Sequence, residues 1–404
     1  MDRVRLPDRG APRGVNAIAA VGADLAARGV AVTDLTSSNP TRHGLLHPGV
    51  LPAVSRHVDD AAHYDPLPRG PLPAREALAA AYGGSPDDYY LASSTSQLYA
   101  WLVMLFADPG EAVAVPEPGY PLIPPIAQLT GARAVGYRFH YAHPHGWILD
   151  GESLTSALDA PGVRAVVVVN PGNPTGAYLD AGADLLVEAC AARGLPLIAD
   201  EVFGPFALDR PGPASGIADG RAAPLTLAGE DRVVTVTLGG LSKLLCAPQL
   251  KLAWARLSGP ADDVAAVRDG LDSIADMFLP VSGPVAAALP ELLALADGSV
   301  AATVARLRAN LAALRELFDG PYRVRRCEGG WTALLDVPRT ADAEDLVIRL
   351  LREAQLAVHP GWFYDLADDG ALAISLLPEP DEFATNLSRL RGTLESLDAM
   401  ATGA

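Results

Sequence analysis

The sequence predicts an α/β fold, with a mainly parallel sheet covered by helices on both faces and a smaller α/β unit after it. Three observations carry this. Short, continuous apolar runs bounded by Pro, Gly or Asp recur through the middle of the chain, the pattern of strands buried on both faces. Helical segments such as Ala181–Arg193 lie between several of them, as crossovers between parallel strands require. Chemistry-bearing residues stand just after those runs, where open α/β sheets gather their ligands.

Taken in order, Asn16–Arg28 reads as a helix. Ala112–Val115, Ala165–Val169, Pro196–Ala199, Val233–Leu238 and Leu252–Leu257 read as buried strands. A long amphipathic helix covers Ala301–Leu317, extendable back to 293. Beyond it Tyr322–Cys327, Trp331–Val337 and Leu372–Leu376 read as strands, with helices over Ala343–Ala354 and from Asp381 onward. The expected division is a segment 1–45 packing with the small domain, a large domain 46–290 and a small domain 291–404. The Pro/Gly-rich stretch Asp209–Gly220 reads as a surface loop, and no internal repeat is present.

Half of the 404 residues are hydrophobic, enough for a sizeable core. The net charge of −17 argues against nucleic acid, whose phosphates such a surface repels. Cys190, Cys246 and Cys327 are odd in number and far apart, which suits a reducing cytosol better than a disulfide framework. The start MDRVRLPDRG has no apolar signal core, and no apolar stretch reaches membrane-spanning length. The expectation is a cytoplasmic protein with no membrane partner.

Of 31 basic residues only Lys243 and Lys251 are lysines. A neutral amine can attack a carbonyl; a guanidinium stays protonated and cannot. Lys243 ends Gly-Gly-Leu-Ser-Lys (239–243), directly after an apolar run. Upstream, Val-Asn-Pro-Gly-Asn-Pro-Thr-Gly (169–176) follows a strand with two Asn-Pro steps, each biasing the residue before it away from helix. Ile-Ala-Asp-Glu-Val-Phe (198–203) puts an acid pair at the end of another apolar strand. Each motif alone reads equally as a turn, a cap or a surface charge. Their order and spacing together are specific.

That order resembles the fold-type I pyridoxal-phosphate (PLP) enzymes, in particular the class I/II aminotransferases, over nearly the whole chain from Asn39-Pro40 to the last helix. The resemblance implies the aspartate aminotransferase-like fold, its large PLP-binding domain built on a mainly parallel seven-stranded sheet. It also implies PLP as cofactor, a small-molecule amino donor and acceptor, and a homodimer. Lys243 matches the Schiff-base lysine, which also moves the proton. Asp200 matches the acid that pairs with the ring nitrogen, and Asn173 the hydrogen-bond donor to the ring oxygen. Tyr120, in Pro-Glu-Pro-Gly-Tyr-Pro (116–121), matches the aromatic stacked on the ring. Ser94 and Thr95 open an apolar helix and, with Ser242 and Lys251, match the phosphate site; plain helix capping is the simpler reading of the first two. Tyr64 matches a tyrosine that reaches the phosphate of the neighbouring subunit.

The chain departs from the family pattern at several positions. Ala373 stands where an arginine usually clamps the substrate carboxylate. Asn39 and Arg42, in Asn-Pro-Thr-Arg-His (39–43), are the candidate substrate contacts, with Arg42 as a replacement charge. Phe203 replaces the tyrosine that donates to the ring oxygen, Lys251 an arginine and Gly240 a serine. His140, His143 and His145 lie close in sequence, but no Cys or carboxylate ligand motif accompanies them and a polar loop is expected there. The leading expectation is an aminotransferase acting on a small amino acid or amine. The alternative is a PLP enzyme of the same fold that does not transaminate: a lyase, a substitution or condensation catalyst, or an oxidase. A PLP-binding transcription regulator is disfavoured, because the N-terminal 45 residues are too short and too little basic for a DNA-binding domain.

Overall fold

The computed structural model describes residues 7, 9, 14–180, 182–209, 226–279, 281–338, 342–367 and 370–402, with side chains up to residue 400. Residues 210–220 of the expected loop therefore lie outside the described residues.

The main sheet has eight strands: β1 (Tyr89–Ala92), β2 (Ala112–Glu117), β3 (Arg133–Ala142), β4 (Gly146–Leu149), β5 (Val163–Val169), β6 (Leu197–Asp200), β7 (Thr235–Gly240) and β8 (Ala253–Ser258). Their spatial order is β1-β8-β7-β6-β5-β2-β3-β4. The five from β7 to β3 run parallel; β8 lies antiparallel to both β7 and β1. Seven strands were implied by the resemblance. The eighth arises because β3 runs for 10 residues and folds back through 143–145 into β4 as an antiparallel edge hairpin. That hairpin takes up the three-histidine stretch, and His140 pairs across it with Ile148. Among the described residues, no group of three or more His, Cys, Asp or Glu is placed to hold a metal.

The central strands were readable because both faces are covered. In β5 every residue but Arg164 is buried. One face packs against the helix Thr95–Phe106, through Leu98, Tyr99, Trp101 and Leu102, and against Ala261–Phe278. The other packs against Gly151–Leu158 and Gly182–Ala191 through Leu154, Leu186 and Val187.

A second, four-stranded sheet follows: β9 (Arg323–Val324), β10 (Thr332–Asp336), β11 (His359–Pro360) and β12 (Ala371–Ser375), antiparallel in the order β9-β10-β12-β11. The expected strand Tyr322–Cys327 shrinks to two residues. After Val324 the Arg325 amide still bonds to the Leu334 carbonyl, but Gly329 bridges instead to Ala207. Helix Ala343–Ala354 is capped by the Asp342 carboxylate, which accepts from the Glu344 and Asp345 amides. Near the N-terminus, the Asn16 side chain accepts from the Ala19 amide and caps Ala17–Ala27. This helix packs on Ala343–Ala354, and Thr33–Asp34 pairs in parallel with Leu356–Ala357. No described helix is long and apolar enough to cross a membrane.

Candidate active site

The carboxyl ends of β5, β6 and β7 lie side by side, with Val169 opposite Asp200 and Asp200 opposite Leu238. Each end delivers one predicted residue. After β5 the loop closes on itself: the Gly176 amide donates to the Gly172 carbonyl, and the Gly172 amide to the Ala177 carbonyl. Its two asparagines separate. Asn170 is buried and ties the loop down by accepting from the Leu179 amide, whereas Asn173 faces a cavity. At the end of β6 the strand alternation turns Asp200 into that cavity. Glu201, the next residue, is held elsewhere by the Thr226 hydroxyl and the Leu227 amide. Near the end of β7, Gly239 lets the strand lie against Trp254, whose indole nitrogen would stand 2.5 Å from an added Cβ. The short helix Leu241–Leu244 then carries Lys243 into the same cavity.

The cavity has a volume of about 300 Å³, at the lower end of small-ligand pockets. Thr95, Tyr120, Asn173, Asp200, Phe203 and Lys243 all line it. Asp200 is buried, with one carboxylate oxygen accepting from the Tyr99 hydroxyl at 2.8 Å and the other from the Val202 amide at 3.1 Å. Burial pushes its pKa up; the two hydrogen bonds and the Lys243 charge pull it back without cancelling the rise. Burial also lowers the pKa of Lys243, against the opposing pull of Asp200. Both shifts disfavour a closed ion pair, so the two groups reach a ligand as a carboxylate short of a counter-charge and an amine readily made neutral. The Lys243 nitrogen stands 4.8 Å from the ring centre of Trp331 and 5.4 Å from that of Phe203. Burial also raises the Tyr120 pKa, with the Asp200 charge adding to the rise, so its phenol stays neutral.

Six expected contacts do not line the cavity. Ser94 caps the helix Thr95–Phe106, its side chain accepting from the Gln97 amide. Ser242 is half-buried next to Lys243. Lys251 is exposed, in the sparsely populated left-handed region at φ 54°. Tyr64 is 81% exposed. Asn39 caps a 3₁₀ turn by accepting from the amide and hydroxyl of Thr41. Arg42 is exposed on that turn. As the chain stands, the replacement charge expected from Arg42 is not at the cavity wall.

Sequence reasoning missed the opposite wall: Thr36, Ser37, Ser38, Trp331, Thr332, His359, Phe363, Tyr364 and Ser375. These come from the N-terminal segment and the second sheet, and no local motif marks them. Trp331 meets Phe203 and Phe206 edge-on, at 5.5 and 5.3 Å between ring centres. Trp331→Ala is expected to cost about 3–5 kcal/mol of stability, readable as a lower denaturation midpoint at unchanged slope.

The donor set suits PLP. A buried carboxylate with spare acceptor capacity matches a ring nitrogen, an amine of lowered pKa matches an aldehyde, and aromatic rings offer faces to a flat heterocycle.

Comparison with known proteins agrees with this geometry. The model of the family "Aminotransferase class I and II" matches residues 35–382. Alanine aminotransferase of Mycobacterium bovis is 25% identical over 405 aligned residues, covering 93% of this chain and 88% of that protein. Glutamate-pyruvate aminotransferase AlaA of Haemophilus influenzae is 28% identical over 270 residues, 65% of this chain; the match spans 63% of that protein's length. Among solved structures, an aminotransferase from Escherichia coli superposes with a TM-score of 0.85 at 22% identity, over 98% of this chain and 99% of that one. Alanine aminotransferase from Pyrococcus furiosus also gives 0.85, at 18% identity over 97% and 100%.

Proposed function

Because the chain belongs to the class I and II aminotransferases, a PLP-dependent family, we propose that it moves an amino group from a small amino acid or amine to a small acceptor, with Lys243 as the catalytic lysine. The observation that carries this is the convergence of Lys243, Asp200 and Asn173 on one cavity at the carboxyl ends of three adjacent strands.

In this reading Lys243 holds the aldehyde carbon of PLP, Asp200 its ring nitrogen, Asn173 its ring oxygen and Tyr120 one face of its ring. Ser94, Thr95, Ser242 and Lys251 hold the phosphate. When bound, PLP supplies an electron sink for the pair left behind when a bond to the donor's α-carbon breaks. The chain's own groups do the rest. Lys243 carries the proton, and its lowered pKa favours the neutral amine that must accept it. Asp200 keeps a fixed negative charge where a ring cation needs one, and Tyr99 and the Val202 amide hold its orientation. Phe203 and Trp331 keep water from the amine. Phe203 cannot donate a hydrogen bond to the ring oxygen, which leaves that task to Asn173.

The working form in this reading is a cytoplasmic homodimer. Three free, buried cysteines suit a reducing compartment, and the exposed Tyr64 is free to reach a neighbouring subunit's phosphate. In this reading the chain divides at residues 45 and 290, and the pairing of Thr33–Asp34 with Leu356–Ala357 supports the packing of the N-terminal segment with the small domain. The test is a donor screen on the PLP-loaded protein. At least one donor should convert the cofactor to its pyridoxamine form, and a keto acid should reverse the change. A protein that binds PLP but yields no pyridoxamine with any donor would refute aminotransfer.

A further inference from the structure

An amino donor brought against Lys243 must find a partner for its polar end on the opposite wall. Among the described residues lining the cavity, Lys243 is the one lysine or arginine, and the proposed function commits it to the cofactor. On β12, Ala373 is 2% exposed and packs against Leu334 and Tyr364, with Trp147 behind them. Directly opposite Ala373 on the ladder is His359, so the two side chains share a face about 5 Å apart. His359 lines the cavity, as do its neighbours Phe363, Tyr364 and Ser375.

The His359 ring is fixed on two sides. Its Nδ1 is 3.1 Å from the Tyr364 hydroxyl, and its face stacks on Phe363 at 4.4 Å and 19°. Nε2 has no hydrogen-bond partner among the described residues. Burial holds the imidazole pKa below its ordinary value, with Asp34 opposing weakly. The other polar residues that the N-terminal segment and the second sheet give to the cavity lining, Thr36, Ser37, Ser38, Thr332 and Ser375, are uncharged. Ser375 spends its proton on the Ser37 carbonyl at 2.6 Å. A carboxylate pressed into such a wall loses its hydration without gaining a cation, whereas a hydroxyl or amide needs only one or two hydrogen bonds.

We propose that His359 determines the specificity of this site: its Nε2 hydrogen-bonds an uncharged polar group of the amino donor, so that amino alcohols and amino amides are preferred over the matching α-amino acids. This rests on the reading that Lys243 holds PLP.

The test uses the PLP-loaded protein and matched donors: L-alanine, L-alaninol and L-alaninamide, then L-phenylalanine and L-phenylalaninol. Apparent Kd is read from the donor-dependent change in the cofactor absorbance, which needs no turnover. The alcohol and amide should bind at least ten-fold more tightly than the acid. His359→Ala should bring that ratio close to one, and His359→Gln, which keeps an uncharged hydrogen-bonding group, should retain part of it. Acids binding as tightly as their neutral partners would overturn the proposal while leaving the Lys243 reading intact; so would a ratio unmoved in His359→Ala. A chain that holds no PLP overturns both readings. Donors that bind in the predicted order but yield no pyridoxamine support the His359 assignment and refute aminotransfer.

Discussion

Lys243→Ala is expected to abolish turnover, a loss of at least about 10⁴-fold, at the upper end of what a positioned proton-transfer group contributes. The substitution removes both the nucleophile and the proton carrier. Among the described residues lining the cavity there is no second primary amine to take over the nucleophilic role. Lys243→Arg should fail as completely, because a guanidinium does not lose its proton near neutral pH. The fold should survive either change. The lysine is half-buried among aromatic rings, and burial already disfavours its charge. Turnover assays alongside denaturation midpoints would separate the two effects. A Lys243→Ala protein with more than a few per cent of parental activity would remove the basis for the assigned role.

The second large effect is at Asp200. Asp200→Asn is expected to lower kcat by about 10²–10³-fold, the scale seen when one preorganised electrostatic partner is removed. The shape of the side chain is kept and its charge is lost. Stability should move the other way. The folded-state pKa of Asp200 is raised above its ordinary 3.8, chiefly by burial. A carboxyl raised on folding contributes stability below its unfolded pKa and loses it as the pH climbs through the folded value. At pH 7 without cofactor, the parent therefore carries the cost of a buried carboxylate that the asparagine does not. Tyr99 adapts because its hydroxyl can turn from donor to acceptor. The cofactor-free variant should be at least as stable at pH 7 as the parent, with the difference shrinking toward pH 4. Lower stability together with lost activity would make Asp200 a structural residue.

Which parts of this were legible in the sequence follows from where the information lies. Strands β2, β5, β6, β7 and β8 announce themselves because both of their faces are buried and their composition is continuously apolar. Tyr89–Ala92 gives no such signal: it is a four-residue edge strand flanked by acids and serines. The hairpin of β3 and β4 mixes Arg, His and Tyr with apolar residues because much of it faces solvent. The site divides in the same way. Lys243, Asp200, Asn173, Tyr120, Thr95 and Phe203 follow strands or open a helix, and the topology brings those ends together. Trp331, His359, Tyr364 and Ser375 reach the cavity only through packing of the second sheet across the first. No periodicity records such long-range contacts. Arg42 shows the converse: a charge beside a motif, which folds onto an exposed 3₁₀ turn and is not among the residues lining the cavity.

The central claim is that Lys243 is the residue that holds the cofactor, and the chain's composition makes the direct test unusually clean. With only two lysines, Lys243 and Lys251, reduction of the yellow, PLP-loaded protein with borohydride can fix the cofactor to one of just two side chains. Peptide mapping by mass spectrometry should find a single pyridoxyl group, on Lys243, with Lys251 unmodified and the absorbance band abolished. An adduct on Lys251, or none on a protein that has taken up PLP, would contradict the account.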